Sequence, residues 1–260
     1  MAGTRNSTTQ AVRKAVRLLN CFTAGTVASL GVAELSALTG WTQSTVSRLL
    51  SALEDGGLVQ RDPTTGRYTL GLQLVALAGA ALAAGALHPV SYPHLVRLAA
   101  ASGETANLCV LDAGQVLTIA EALGTHPIKL SGWVGVRLPL HATAAGKVLL
   151  AALPEERRTA LLAADLPALT LRTVTDQRRL LDEIERVRGA GYALSVEELT
   201  TGLSSIAAPV RDHTGTVVAA MTAAGPSVRL TGAHLDRCIG LVKQEAEATS
   251  RELGSRVSAA

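Results

Sequence analysis

From Gln10 to Phe22, apolar residues recur at Val12, Ala15, Val16 and Leu19, the spacing of one buried helical face. Val32, Leu35 and Leu38 predict a short second helix that stops at Gly40, where the absence of a Cβ allows a left-handed cap. Thr42 can then cap a third helix whose buried stripe is Val46, Leu49, Leu50 and Leu53. Its other stripe holds Ser44, Ser47, Arg48 and Ser51, with Gln43 and Thr45 at the helix start. A solvated face usually carries Glu and Lys. Short hydroxyls, one amide and one guanidinium instead suit close approach to phosphates and to base edges in a major groove, Arg matching guanine and Gln adenine. Leu58-Val59-Gln60-Arg61 and Arg67-Tyr68-Thr69-Leu70 flank the turn Asp62–Gly66 and predict a β-hairpin. Placed after a helix-turn-helix, that hairpin is a wing bringing Arg61 and Arg67 to the sugar-phosphate backbone. Residues 1–71 therefore read as a winged helix-turn-helix that binds double-stranded DNA. The alternative, a three-helix protein-interaction domain, does not explain why the hydroxyl-rich helix and basic hairpin follow in this order.

Between Arg67 and Arg97 there is no Asp, Glu, Lys or Arg, and the run LGLQLVALAGAALAAGAL is long enough for a membrane span. Ala and Gly supply little transfer energy, however, and Gln73 interrupts the most apolar part. The preferred reading is a linker and dimerisation helix over residues 72–89, ended by His88-Pro89, in which small side chains let two copies approach closely. From residue 90 to 260 the pattern mixes periods. Helices are expected near 92–101, 142–152, 155–163, 176–190 and 232–253. Strands are expected at Thr105–Leu111, Gln115–Ala120, Ile206–Val210 and Val217–Thr222, with hairpin turns at Asp112-Ala113-Gly114 and Asp212–Gly215. The fold class is α+β, an antiparallel sheet flanked by helices behind a winged helix-turn-helix.

Composition sharpens this picture. The 260 residues are 48% apolar with only six aromatic side chains, so the core must be built from Ala, Leu and Val. Residues 1–71 hold seven basic against four acidic side chains, which accounts for the whole net charge of +3; the remainder balances. A basic leading module suggests a polyanionic partner for that part alone. Cys21, Cys109 and Cys238 are far apart and set among apolar neighbours, which argues against a disulfide framework or metal cluster and for a reducing, cytoplasmic setting. The polar amino terminus lacks a signal-peptide pattern and is expected to begin at Met1. His141–Lys147 ends in Gly-Lys but lacks the first Gly and the following Ser/Thr of a phosphate loop, and no zinc-protease, nucleophile-elbow or Cys-x-x-Cys motif occurs. No catalytic residue, metal or cofactor is expected. Ala142–Gly146 is a run of small residues opening a helix, whose free N–H groups could receive a carboxylate.

The chain resembles the IclR family of bacterial transcriptional regulators from about Ala11 to Gly254. The resemblance rests on Thr45-Val46-Ser47-Arg48-Leu49-Leu50, Tyr68-Thr69-Leu70-Gly71, Leu138–Lys147, Gly191-Tyr192-Ala193 and Ser205–Val210, in this order and spacing. It implies a GAF-like effector-binding domain, dimers or dimers of dimers on a palindromic operator, and no catalysis. It also implies an effector site at Ala144 and Ala145, Ser195, Ser205, Thr222 and Ala224, with Leu130 and Leu138 as the apolar wall. Members that recognise small oxo acids carry an Asp, a Cys and two Ser where this chain has Ser195, Ser205, Thr222 and Ala224. The departure favours a larger effector, a carboxylate with an apolar body.

Overall fold

The computed structural model describes residues 3–23, 29–83, 85–163 and 165–255, with side chains from Thr9 onward. Met1 and the side chain of Arg5 lie outside the described residues. The chain divides into two compact units, Met1–Ala84 and Gly85–Ala260.

In the first unit α1 (Gly3–Asn20), α2 (Val32–Thr39) and α3 (Gln43–Asp55) precede a hairpin of β1 (Val59–Arg61) and β2 (Tyr68–Leu70). Gly40 caps α2 in the left-handed conformation at φ 75°, and Thr42 caps α3 by accepting from the Thr45 N–H. The core comprises Leu18, Phe22, Leu30, Leu35, Val46, Leu50, Leu53, Val59 and Tyr68. Three expected core positions face outward instead: Val12, Val16 and Leu38 are all more than half exposed. In α1 the inward stripe runs through Ala15, Leu18 and Leu19, continued by Phe22 just after the helix, and is rotated from the expected one so that Leu18 rather than Val16 enters the core. The wing turn is held by the Asp62 carboxylate, which accepts from Thr64 and Thr65 N–H at 2.7 and 3.0 Å. A bridge between Leu30 and Tyr68 ties the wing to the segment before α2.

The continuous helix expected over 72–89 is two helices, α4 (Gln73–Ala83) and α5 (Leu87–Ser102). His88-Pro89 does not end a helix; it lies in the first turn of α5, where proline's missing N–H has no intrahelical acceptor to lose. No residue of α4 is buried, and no single helix among the described residues is long and apolar enough to cross a membrane.

The second unit is built on a six-stranded antiparallel sheet in the order β5-β4-β3-β8-β7-β6. The strands are β3 (Thr105–Asp112), β4 (Gln115–Ala122), β5 (Arg137–Leu138), β6 (Ala193–Val196), β7 (Leu203–Arg211) and β8 (Val217–Pro226). Alternation of side chains assigns each residue to a face. Leu108, Ile206, Ala208, Val210, Met221 and Ala223 pack beneath α5 and α9 (Gly232–Glu252). Cys109, Ala207 and Ala220 face α6 (Ala144–Ala152) and α8 (Gln177–Ala190), with α7 (Glu155–Leu162) between those helices in sequence. The protein is thus an α+β chain with a winged helix-turn-helix and an antiparallel sheet flanked by helices.

Candidate functional site

On α3 the buried stripe Val46, Leu50 and Leu53 leaves Gln43, Ser44, Ser47, Arg48 and Ser51 exposed. Ser44 and Thr45 hydroxyls lie 3.1 and 3.0 Å from that of Thr42, so the helix start is a small hydroxyl cluster. Among the described residues neither Arg48 nor Arg61 has an ion-pair partner, and both side chains are exposed. Arg67 is different. Its guanidinium bonds the Ser29 hydroxyl at 3.0 Å, the Ser29 carbonyl at 2.7 Å and the Glu34 carboxylate at 2.8 Å, which joins the wing to α2. Its place is that of an internal tie rather than of a free arm. Lys14 and Arg17 sit over the Trp41 ring, at 5.5 and 5.3 Å from its centroid, and join α1 to the turn before α3.

The second unit contains a cavity of about 50 Å³ on the α6 side of the sheet. That is several times the roughly 10–15 Å³ that one water molecule requires. Register explains its floor. Asn107 pairs with Thr222, and Ser205 with Ala224, so these four side chains point to one face in two neighbouring rows. Leu138, Val116, Trp133, Leu199 and Leu203 supply apolar walls, and Ala145 and Thr143 the roof. No charged side chain lines it.

The roof is the start of α6. Thr143 caps it, its hydroxyl accepting from Gly146 N–H at 3.0 Å. Lys147 N–H reaches the Thr143 carbonyl at 3.1 Å. Neither the Ala144 nor the Ala145 N–H has a hydrogen bond among the described residues, and the positive end of the helix dipole adds to these two donors. Gly146 must be glycine because a Cβ there would overlap the Leu140 carbonyl. Lys147 points away from the cavity. Buried, it bonds Glu183 at 2.7 Å, Glu198 at 2.6 Å and the Leu194 carbonyl at 3.3 Å. Burial raises the Glu198 carboxyl above its ordinary range despite the facing Lys147.

Of the eight residues expected at the effector site, Leu138, Ala145, Ser205, Thr222 and Ala224 line this cavity. Three do not. Ser195 is buried and its hydroxyl donates to the Ala142 carbonyl at 3.0 Å. Leu130 uses its carbonyl to accept from Thr105 at 2.7 Å. Ala144 is fully buried in the α6 core, and only its N–H remains available. Residues not expected are Asn107, Cys109, Val116, Thr118, Trp133, Thr143, Leu199 and Leu203. Asn107 was detectable as a lone amide inside an otherwise apolar strand, whereas Trp133 comes from a loop. That loop is fixed by Glu121, whose carboxylate accepts from Gly132 and Trp133 N–H at 3.1 and 3.2 Å. Burial pushes the Cys109 thiol up to about 12, so at neutral pH it is a protonated thiol and not a nucleophile. No group of three or more His, Cys, Asp or Glu among the described residues is placed to hold a metal ion.

A helix-turn-helix with a polar recognition face, joined to a domain holding a small cavity, defines a one-component transcriptional regulator. The comparisons name the family. Residues 11–63 match the IclR helix-turn-helix domain and residues 80–251 the bacterial transcriptional regulator IclR C-terminal domain. The chain belongs to the IclR family. It is 34% identical over 248 residues to the glycerol operon regulatory protein of Streptomyces griseus, covering 95% of this chain and 97% of that one. It is 33% identical over 227 residues to the transcriptional repressor AllR of Escherichia coli K12, covering 87% and 84%. Among solved structures, an IclR homolog of Microbacterium hydrocarbonoxydans complexed with 4-hydroxybenzoate superposes with a TM-score of 0.82 at 26% identity, covering 94% and 98%. The curated relatives are named as regulators and repressors, not enzymes.

Proposed function

We propose that the protein acts in the cytoplasm as a metabolite-responsive regulator that binds a palindromic operator as a dimer or dimer of dimers. Gln43, Ser44, Thr45, Ser47 and Arg48 meet the major groove, and Arg61 on the wing meets phosphate. The exposed, unpaired state of Arg48 and Arg61 supports these roles; Arg67, tied to Ser29 and Glu34, supports the wing instead. A fully unburied α4, with Leu72, Val75 and Leu77 exposed beside Gly79 and Ala80, supports self-association through that helix.

The effector is a carboxylate with an apolar body. One observation carries this: among the described residues the cavity roof offers the unpaired backbone N–H of Ala145 at a helix start, above apolar walls without a charged side chain. A small dianion would lack a second cationic partner there. The similar protein bound to 4-hydroxybenzoate, an aromatic carboxylate, agrees with this class. Thermal shifts of the full chain against aromatic acids, branched-chain keto acids and glyoxylate test it. A bulky acid should raise the melting temperature in the wild type and lose that effect in Ala145→Pro. A response to glyoxylate alone would refute the assignment.

A further inference from the structure

Asn107 occupies the middle of β3 on the cavity face and is only 6% exposed. Its Oδ1 is buried without any hydrogen-bond partner, and its amide nitrogen has none among the described residues. A structural asparagine in a sheet interior is ordinarily bonded to backbone or to a neighbouring side chain, because an unsatisfied amide in a low-dielectric site is destabilising. Ser91, Ser204, Arg158 and Glu198 also keep buried atoms without partners, but none of them lines the cavity. Asn107 does, beside the hydroxyl of its cross-strand neighbour Thr222.

We infer that Asn107 is a specificity-determining residue that reads a second polar group on the effector, a hydroxyl carried apart from the carboxylate. The inference rests on the carboxylate reading of the α6 roof. The Ala145 N–H at the start of α6 holds the acid from the helix side, and Asn107 addresses the other end from the sheet side. An amide both donates and accepts, so it suits a hydroxyl, which does the same. A molecule with a methyl group in that position would leave the Asn107 amide buried and unpaired, which is a penalty felt only by the wrong ligand.

Paired acids of equal shape test this in the full-length protein by calorimetric titration: 4-hydroxybenzoate against 4-methylbenzoate, and 3-hydroxypropanoate against butanoate. In the pair whose body fits, the wild type should prefer the hydroxy acid by about tenfold or more. Asn107→Leu should abolish or reverse the preference while still binding the methyl compound, which itself shows that the cavity is folded. Asn107→Ala, which asks for no extra volume, should likewise lose it. Equal binding of both members by the wild type, or an unchanged preference in both variants, would overturn the inference while leaving the carboxylate reading standing. No binding of any of the four acids would remove that reading and this inference with it.

Discussion

The two faces of the six-stranded sheet are made by the same strands, one residue out of step, and they do different work. On β8, Met221 and Ala223 point beneath α5 and α9, while Thr222 and Ala224 between and after them point into the cavity. On β7, Ile206 and Ala208 are core and Ser205 is cavity floor; on β3, Ala106 and Leu108 are core and Asn107 is cavity floor. The α5 and α9 face is filled with apolar side chains at almost no exposure. The α6 face is equally apolar over much of its length but leaves, at one end, a space floored by small polar groups. Both faces are packed, and the difference lies at one end of the α6 face, where closer packing would close the site.

Substitutions along β8 break or sharpen this contrast most strongly. Met221→Ala should cost about 2–5 kcal/mol through lost burial and a cavity in a close-packed layer. Thr222→Ala, one residue away, should change stability by less than about 1 kcal/mol, since its hydroxyl faces the cavity and has no hydrogen-bond partner to lose among the described residues. Urea denaturation of the two variants measures both. Next in size is ligand linkage. At about 100 times Kd an effector should stabilise the second unit by about 2.7 kcal/mol, and Thr222→Val should reduce that gain where Met221→Ala leaves it intact. α3 repeats the contrast between a packed stripe and a working stripe. Arg48→Ala should leave the melting temperature unchanged yet cost about 1–3 kcal/mol of operator discrimination, while Arg61→Ala should weaken all DNA sequences and reduce the salt slope by about 1. Gel shifts at two salt concentrations separate them.

The smallest effects concern pH. Burial opposes the charge of Glu104, but hydrogen bonds from Arg229 and His234 outweigh it and hold the carboxyl below its ordinary value of 4.5. It bonds Arg229 through both oxygens at 2.5 Å, closing one end of the packed face. Because its folded pKa is lowered, its contribution is present above pH 4.5 and is lost as pH falls below it. Glu198 is shifted upward by burial, so its contribution has the opposite sign and fades as pH rises through its raised value. The acid-induced drop in denaturation midpoint should therefore be shallower in Glu104→Gln than in the wild type and steeper in Glu198→Gln.

Much of this is legible in the sequence. Thr42, Gly40, the α3 stripe and the Asp62–Gly66 turn are local signals, and local hydrogen bonds decide them. The helix α6 itself is legible at 142–152, but its Thr143 cap, which starts it at Ala144, is not among the sequence signals. What is not legible is tertiary. Ser195 shares a face with its β7 partner Ser205, yet its hydroxyl is consumed by the Ala142 carbonyl, a contact that spans 53 residues. Arg67 reads as a free basic arm in the sequence, and its bonds to Ser29 and Glu34 come from 38 and 33 residues away. Uniform small residues between 72 and 89 hid the break before α5, because an Ala-rich run shows no periodicity to interrupt. β5, at two residues, is too short to carry a pattern.

The proposal that a metabolite bound under α6 controls DNA binding has a direct test. It is tested most directly by the affinity of the full-length protein for its upstream DNA, measured by fluorescence anisotropy at fixed salt with increasing amounts of an acid that raises the melting temperature. DNA affinity should change by roughly 5- to 150-fold, the usual range of allosteric coupling, with the half-point at the acid's own Kd. Ala145→Pro should lose this response while still binding DNA. A saturating acid that stabilises the protein and leaves DNA affinity unchanged, or a response that survives Ala145→Pro at the same concentration, would contradict it.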